Sequence, residues 1–276
     1  MKSNSFTIHS PGINSIVKSV LFWTVFILII FITGSFIRIL FHTNWHQFNY
    51  GIAGTASALF TTWLFLKNEK KSFKEIGLVW ENKTALRFFI GFIIGTVLIV
   101  FILSVLLIFT NLEIEKNKTP IATGAFIGYL AFIPLSLMEE IAFRSYPFLK
   151  MNKTVGLRIT QIIVAIAFAL YHFISGWSVQ SAFLGPGIWA FVFGLAAVWS
   201  GGIAVPLGIH VALNILQSIT GMRGDENSFW ILKYAEGTPE NLIAKTDTVG
   251  LATQLIVFIC AVALTEFFIR KKKIRI

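Results

Sequence analysis

Charge is scarce in this chain: Asp, Glu, Lys and Arg make up 13% of the 276 residues, against 55% hydrophobic residues. With a mean hydropathy of +0.76, so few charges do not keep a domain of this size in water, and the composition points to a bilayer. Cysteine is scarcer still, with Cys260 alone inside an apolar run. One thiol makes no intrachain disulfide and no thiolate metal cluster, so Cys260 reads as packing. Aspartate occurs only at Asp225 and Asp247, both in the polar stretch of about 221–248. With no Asp in an apolar segment, an aspartyl intramembrane mechanism lacks its groups. The sequence also lacks HExxH and GxSxG, which argues against site-2 zinc and serine-elbow chemistry. No internal repeat or low-complexity linker divides the chain.

What the sequence does contain is apolar runs of spanning length. A bilayer crossing takes about 20 mainly apolar residues, because the backbone must satisfy its own hydrogen bonds in lipid. Eight segments meet this, at about 19–41, 48–66, 86–110, 121–148, 157–174, 183–200, 203–220 and 249–269. The first is longer than a signal-peptide core and has no small-residue cleavage site, so it is expected to be retained. Pro134 should kink or split the fourth, and only Gly201 and Gly202 separate the sixth from the seventh. The expected fold class is all-α, a polytopic transmembrane helical bundle of about eight spans. Residues 1–276 form a single integral membrane domain, with a motif-bearing core at 120–220.

Lys and Arg total 23 against 13 acids, a net charge of +10. Such a balance can indicate nucleic acid, but these cations flank apolar runs, at Lys67, Lys70, Lys71 and Lys74 and again from Arg270 to Arg275. The partner is therefore the bilayer, not nucleic acid. With Arg144 set aside as intramembrane and the N-terminus placed in the cytoplasm, 16 Lys and Arg fall on the cytoplasmic side and 6 on the other. Both termini should face the cytoplasm of a cell membrane.

Ionisable groups in hydrocarbon cost several kcal/mol, so those that occur there mark chemistry or pairing. Of the 13 acids only Glu139, Glu140 and Glu266 fall in the apolar segments. Glu266 precedes Arg270 by four residues near a cytoplasmic end, where ion pairing accounts for it. His9, His42 and His46 lie outside or at the edges of spans, leaving His172 and His210 deep. Adjacent Glu139 and Glu140 point about 100° apart on a helix, so they serve different partners. Glu140 and Arg144 stack at i, i+4, which frees Glu139 for a cavity, where burial and nearby cations act in opposite senses on its protonation. The competing reading is a buried ion pair that sets helix register. His210 and Asn214 repeat the i, i+4 spacing, so both offer donors in one direction, either to a developing oxyanion or across to a neighbouring helix. With Phe168 and His172, also four residues apart, these make three such pairs on three spans, which favours a common site.

In order, Glu139–Arg144 reads EExxxR, Phe168–His172 reads FxxxH and His210–Asn214 reads HxxxN. This ordered triple resembles the CPBP family of CAAX-processing and bacteriocin-processing intramembrane proteases, also grouped as Abi or type II CAAX prenyl endopeptidases. The resemblance covers about 120–220. It implies a metal-independent glutamate endopeptidase acting on a membrane-associated peptide or protein. Glu139 with His172 would activate water, His210 with Asn214 would stabilise the oxyanion, and Glu140, Arg144 and Phe168 would support them. No cofactor is expected; if zinc were present, its ligands would be Glu139, His172 and His210. A proton-coupled transporter and a non-catalytic immunity or scaffold protein of the same fold are the alternatives.

Overall fold

The computed structural model describes residues 11–40, 45–119, 123–224 and 228–274. Lys2, His9, His42, Asp225 and Arg275, all used in the counts above, lie outside the described residues. The chain folds into helices α1 (Pro11–Leu40), α2 (His46–Asn68), α3 (Thr84–Phe109), α4 (Thr123–Arg144) and α5 (Tyr146–Ile174). After these come α6 (Val179–Ala182), α7 (Ile188–Ser200), α8 (Ala204–Ile219) and α9 (Glu240–Ile274). Among the described residues each of the eight apolar segments is mainly helical, and the protein is an all-α integral membrane bundle. Five stretches are long and apolar enough to cross a membrane: Pro11–Leu40, Thr84–Phe109, Phe126–Ile174, Val179–Ser200 and Glu240–Lys271. The outer surface is apolar as well. Phe31, Ile93, Ile108, Ile259 and Phe267 are exposed, a surface suited to lipid tails and not to water.

Several boundaries differ from the sequence reading. Pro134 does not split its helix, since α4 runs unbroken to Arg144. The break comes at Ser145 instead, and a second follows at Gly156, whose φ of 80° is open to glycine but disfavoured for side-chain-bearing residues. Helix α9 begins at Glu240, so Asp247 lies on an exposed face of that helix and not in a loop. The polar stretches at 111–119 and 228–236 contribute two strands that were not expected, β1 (Leu112–Lys116) and β2 (Trp230–Tyr234), paired antiparallel. Their alternation was visible in Leu112-Glu113-Ile114-Glu115, but one short polar run shows no partner until the chain folds. Glu266 does reach Arg270, at 3.9 Å, yet its closer partner is Arg158 on α5, held by both carboxylate oxygens.

Two contacts position the helices that matter most. Gly91 and Gly95 on α3 face Gly208 on α8, where an added Cβ would overlap a backbone carbonyl of the opposing helix at Val205, Ile209 or Phe88. Small residues at this spacing let two helices approach backbone to backbone, which compensates for the missing hydrophobic drive in lipid. On α4, Thr55 of α2 donates to the Pro134 carbonyl at 2.8 Å and Trp23 of α1 donates to the Ala142 carbonyl at 3.1 Å.

At the basic end of the bundle Glu69, just past α2, gathers Lys18, Lys71, Lys150 and the Tyr146 hydroxyl. Burial alone would raise its carboxyl, but the hydrogen bonds from Lys150, Lys71, Lys18 and Tyr146 outweigh it and hold the group well below the usual carboxylate range. A folded-state value below the unfolded one adds stability that is complete above about pH 4.3 and is lost as pH falls further. Thermal unfolding of the detergent-solubilised protein from pH 7 to pH 3 should therefore show a steeper acid loss than in Glu69→Gln, which is less stable at pH 7. Parallel curves would contradict this role.

Candidate functional site

Helices α4, α5 and α8 bring all seven motif residues together. The two adjacent glutamates of α4 separate as their spacing requires: Glu139 is 14% exposed and lines a cavity of about 890 Å³, while Glu140 is 0% exposed and turns into the protein. Glu139 sits between two imidazoles. Its Oε1 lies 4.0 Å from His172 Nε2 and its Oε2 lies 3.5 Å from His210 Nε2.

The far nitrogen of each ring tells what its Nε2 can do. His172 Nδ1 is 2.9 Å from the Phe168 carbonyl oxygen. A carbonyl only accepts, so Nδ1 carries the proton, and in the neutral ring Nε2 is an acceptor aimed at Glu139. His210 Nδ1 is 2.8 Å from Glu140 Oε1. A carboxylate there again takes the Nδ1 proton, and Nε2 becomes a donor toward Glu139 when the ring carries both protons.

Glu140 thus does more than its sequence spacing indicates. It meets Arg144 Nη1 at 3.6 Å and also orients His210. Arg144 is 0% exposed in its side chain, and among the described residues its three guanidinium nitrogens and Glu140 Oε2 have no hydrogen-bond partner. Aromatic faces compensate. The guanidinium carbon lies 4.2 Å from the ring centre of Phe168, 5.0 Å from Phe193 and 5.9 Å from Phe143. Such desolvated cation–π contacts stabilise by up to about 2 kcal/mol. Phe168 therefore has three tasks: its carbonyl sets the His172 tautomer, its ring packs edge-on to His172 at 4.6 Å, and its face shields Arg144.

Asn214, one turn beyond His210, donates from Nδ2 to Ser136 Oγ at 3.1 Å and accepts at Oδ1 from Arg223 Nη2 at 2.5 Å. The guanidinium can only donate, which fixes the carboxamide with its NH2 toward Ser136 and the cavity. Ser136, Phe193 and Arg223 were not singled out from the sequence. Arg223 lies in the turn after α8, where a single cation gives no signal of what it will touch. Removing it in Arg223→Ala should lower kcat about 10- to 100-fold, the scale of one charge-assisted hydrogen bond, with a smaller change in KM. Partial recovery in Arg223→Lys, measured on the same peptide, distinguishes positioning from general loss of fold. Equal activity in both variants and the parent would remove Arg223 from the site.

Residues 120–216 match the family model Rce1-like, described as Type II CAAX prenyl endopeptidase Rce1-like. Over this stretch the chain is similar to the Rce1-like family. The matched stretch runs from the start of α4 to the residues just past Asn214, so it holds all three motifs, and the match supports a protease kind of activity in a membrane setting. No curated protein matches the chain. Among the described residues, no group of three or more His, Cys, Asp or Glu side chains is arranged to hold a metal ion.

Proposed function

We propose that the protein is an intramembrane glutamic endopeptidase that hydrolyses a peptide bond in a membrane-associated peptide or protein. The observation that carries this is Glu139 facing the cavity between two imidazoles, one whose Nδ1 meets a carbonyl so that its Nε2 accepts, and one whose Nδ1 meets a carboxylate and whose Nε2 donates when the ring carries both protons. A water held between Glu139 Oε1 and His172 Nε2, which are 4.0 Å apart, gives up a proton to the carboxylate while its second hydrogen bonds to the imidazole. The oxygen attacks the peptide carbonyl carbon, and the C=O π electrons move to oxygen. As Glu139 loses its charge, the His210 Nε2 proton turns to the new oxyanion, and the Asn214 amide, held toward Ser136 and the cavity, donates to it as well. Collapse of the tetrahedral centre breaks the C–N bond, and the proton on Glu139 passes to the leaving amine; the second water proton stays on the new carboxyl group until it passes to the amine, leaving a carboxylate and an ammonium. These steps use only side chains of this chain and water. Phe168 and Phe193, both buried against His210, keep water from that side of the site and strengthen these interactions.

The charge distribution supports an orientation with both termini in the cytoplasm of the cell membrane. The test of activity is a comparison of peptides in membranes from cells producing the parent chain or Glu139→Gln. Cleaved termini present only with the parent identify the substrate. Identical peptide sets, with both proteins folded and equally abundant, would overturn the assignment.

A further inference from the structure

The two ends of the bundle differ both in charge and in access to the site. At one end lie the last turns of α2, the start of α3, the first half of α5, the α7–α8 turn and the end of α9. Glu69 ties Lys18, Lys71 and Lys150 together there, and Glu266 ties Arg158 and Arg270. Gly77 packs against the Gly201 carbonyl at the same end. Among the described residues, none from the connections at 69–83, 145–156 or 201–203 lines the cavity that holds Glu139. Its exposed lining comes from the other end: Arg38 at the close of α1, Ser175 and Trp177 in the turn after α5, and Arg223 after α8. The cavity therefore opens away from the basic end.

Cytoplasmic loops of membrane proteins carry the excess of Lys and Arg, and among the described residues the split is 14 against 6 in favour of the closed end. We propose that the cavity opens on the non-cytoplasmic face, and that the substrate is an exported or outward-facing peptide segment, not a cytoplasmic tail. The substrate part rests on the peptidase reading above; the direction of opening does not. A peptide that has crossed the bilayer reaches Glu139 past Ser175 and Trp177, whereas a tail anchored at the basic end meets the closed cluster around Glu69.

The experiment is labelling with a membrane-impermeant maleimide in a Cys260→Ser background, using full-length Ser175→Cys at the cavity mouth and Lys74→Cys at the basic end. Each is first shown to react fully after detergent solubilisation. In intact cells Ser175→Cys should label and Lys74→Cys should stay at least tenfold less reactive, with the order reversed in inside-out vesicles. The opposite pattern, reaction of both from one face, or silence of Ser175→Cys in both preparations overturns the proposal. Repeating the labelling with Glu139→Gln added separates it from catalysis: the pattern should persist whether or not any peptide is cleaved.

Discussion

Cleavage of a membrane peptide should fall about 10²- to 10⁴-fold or more in Glu139→Gln, the range attributed to a positioned general base. The amide has the same shape as the carboxylate, and Glu139 makes no buried ion pair that the fold requires; its neighbours are His172 Nε2 at 4.0 Å and His210 Nε2 at 3.5 Å. Stability should therefore stay close to the parent while turnover collapses. Expression and thermal unfolding in detergent, measured beside cleavage, separate the two. Unchanged cleavage would remove Glu139 from the chemistry. Glu139-dependent proton or solute flux in liposomes without proteolysis would favour a transporter. Stoichiometric zinc that is lost in His172→Ala or His210→Ala, with chelator-sensitive activity, would replace the metal-free mechanism.

Arg144→Met should instead strike stability, by about 3–5 kcal/mol, the scale for breaking a buried charge pair from one side. Glu140 would be left at 0% exposure with its Oε2 already lacking a hydrogen-bond partner and its neighbouring guanidinium gone. The aromatic rings of Phe168 and Phe193 accept the methionine side chain readily, so the loss comes from the stranded carboxylate and not from a cavity. The double variant Arg144→Met with Glu140→Gln should recover most of the stability, because neither charge is then buried. It should not recover activity. A neutral amide in place of the Glu140 carboxylate holds His210 Nδ1 less strongly, so cleavage should remain at least about tenfold below the parent, the order of an oxyanion donor weakened but still present. Equal stability of Arg144→Met and the parent in thermal unfolding would contradict the assignment of Arg144 as the counter-charge of Glu140.

Much of the fold was legible because lipid leaves the backbone little choice. Apolar runs of spanning length become helices, and helices stand at all eight places where such runs occur. The exceptions follow from local chemistry that hydropathy does not weigh. Pro134 sits inside an unbroken α4, while Ser145 and Gly156, which draw no notice in an apolar profile, carry the two breaks. The β1–β2 pair depends on polar segments more than a hundred residues apart in the chain. Glu266 takes Arg158 of a distant helix as its closer partner because side chains at a helix end swing freely toward whichever cation packs alongside.

For the site, residue identities and spacings already separated Glu139 from Glu140 and stacked Glu140 on Arg144 and His210 on Asn214, since those relations follow from 3.6 residues per turn. What no helical period contains is the relation between helices. Only the tertiary structure decided that Phe168 both sets the His172 tautomer and shields Arg144, that Glu140 holds His210, and that Arg223 turns the Asn214 amide. It also decided at which end the cavity opens. By itself the sequence determined a helical membrane bundle with one cluster of intramembrane charge; how those charges neutralise and orient one another depended on packing, because each needs a partner from another helix.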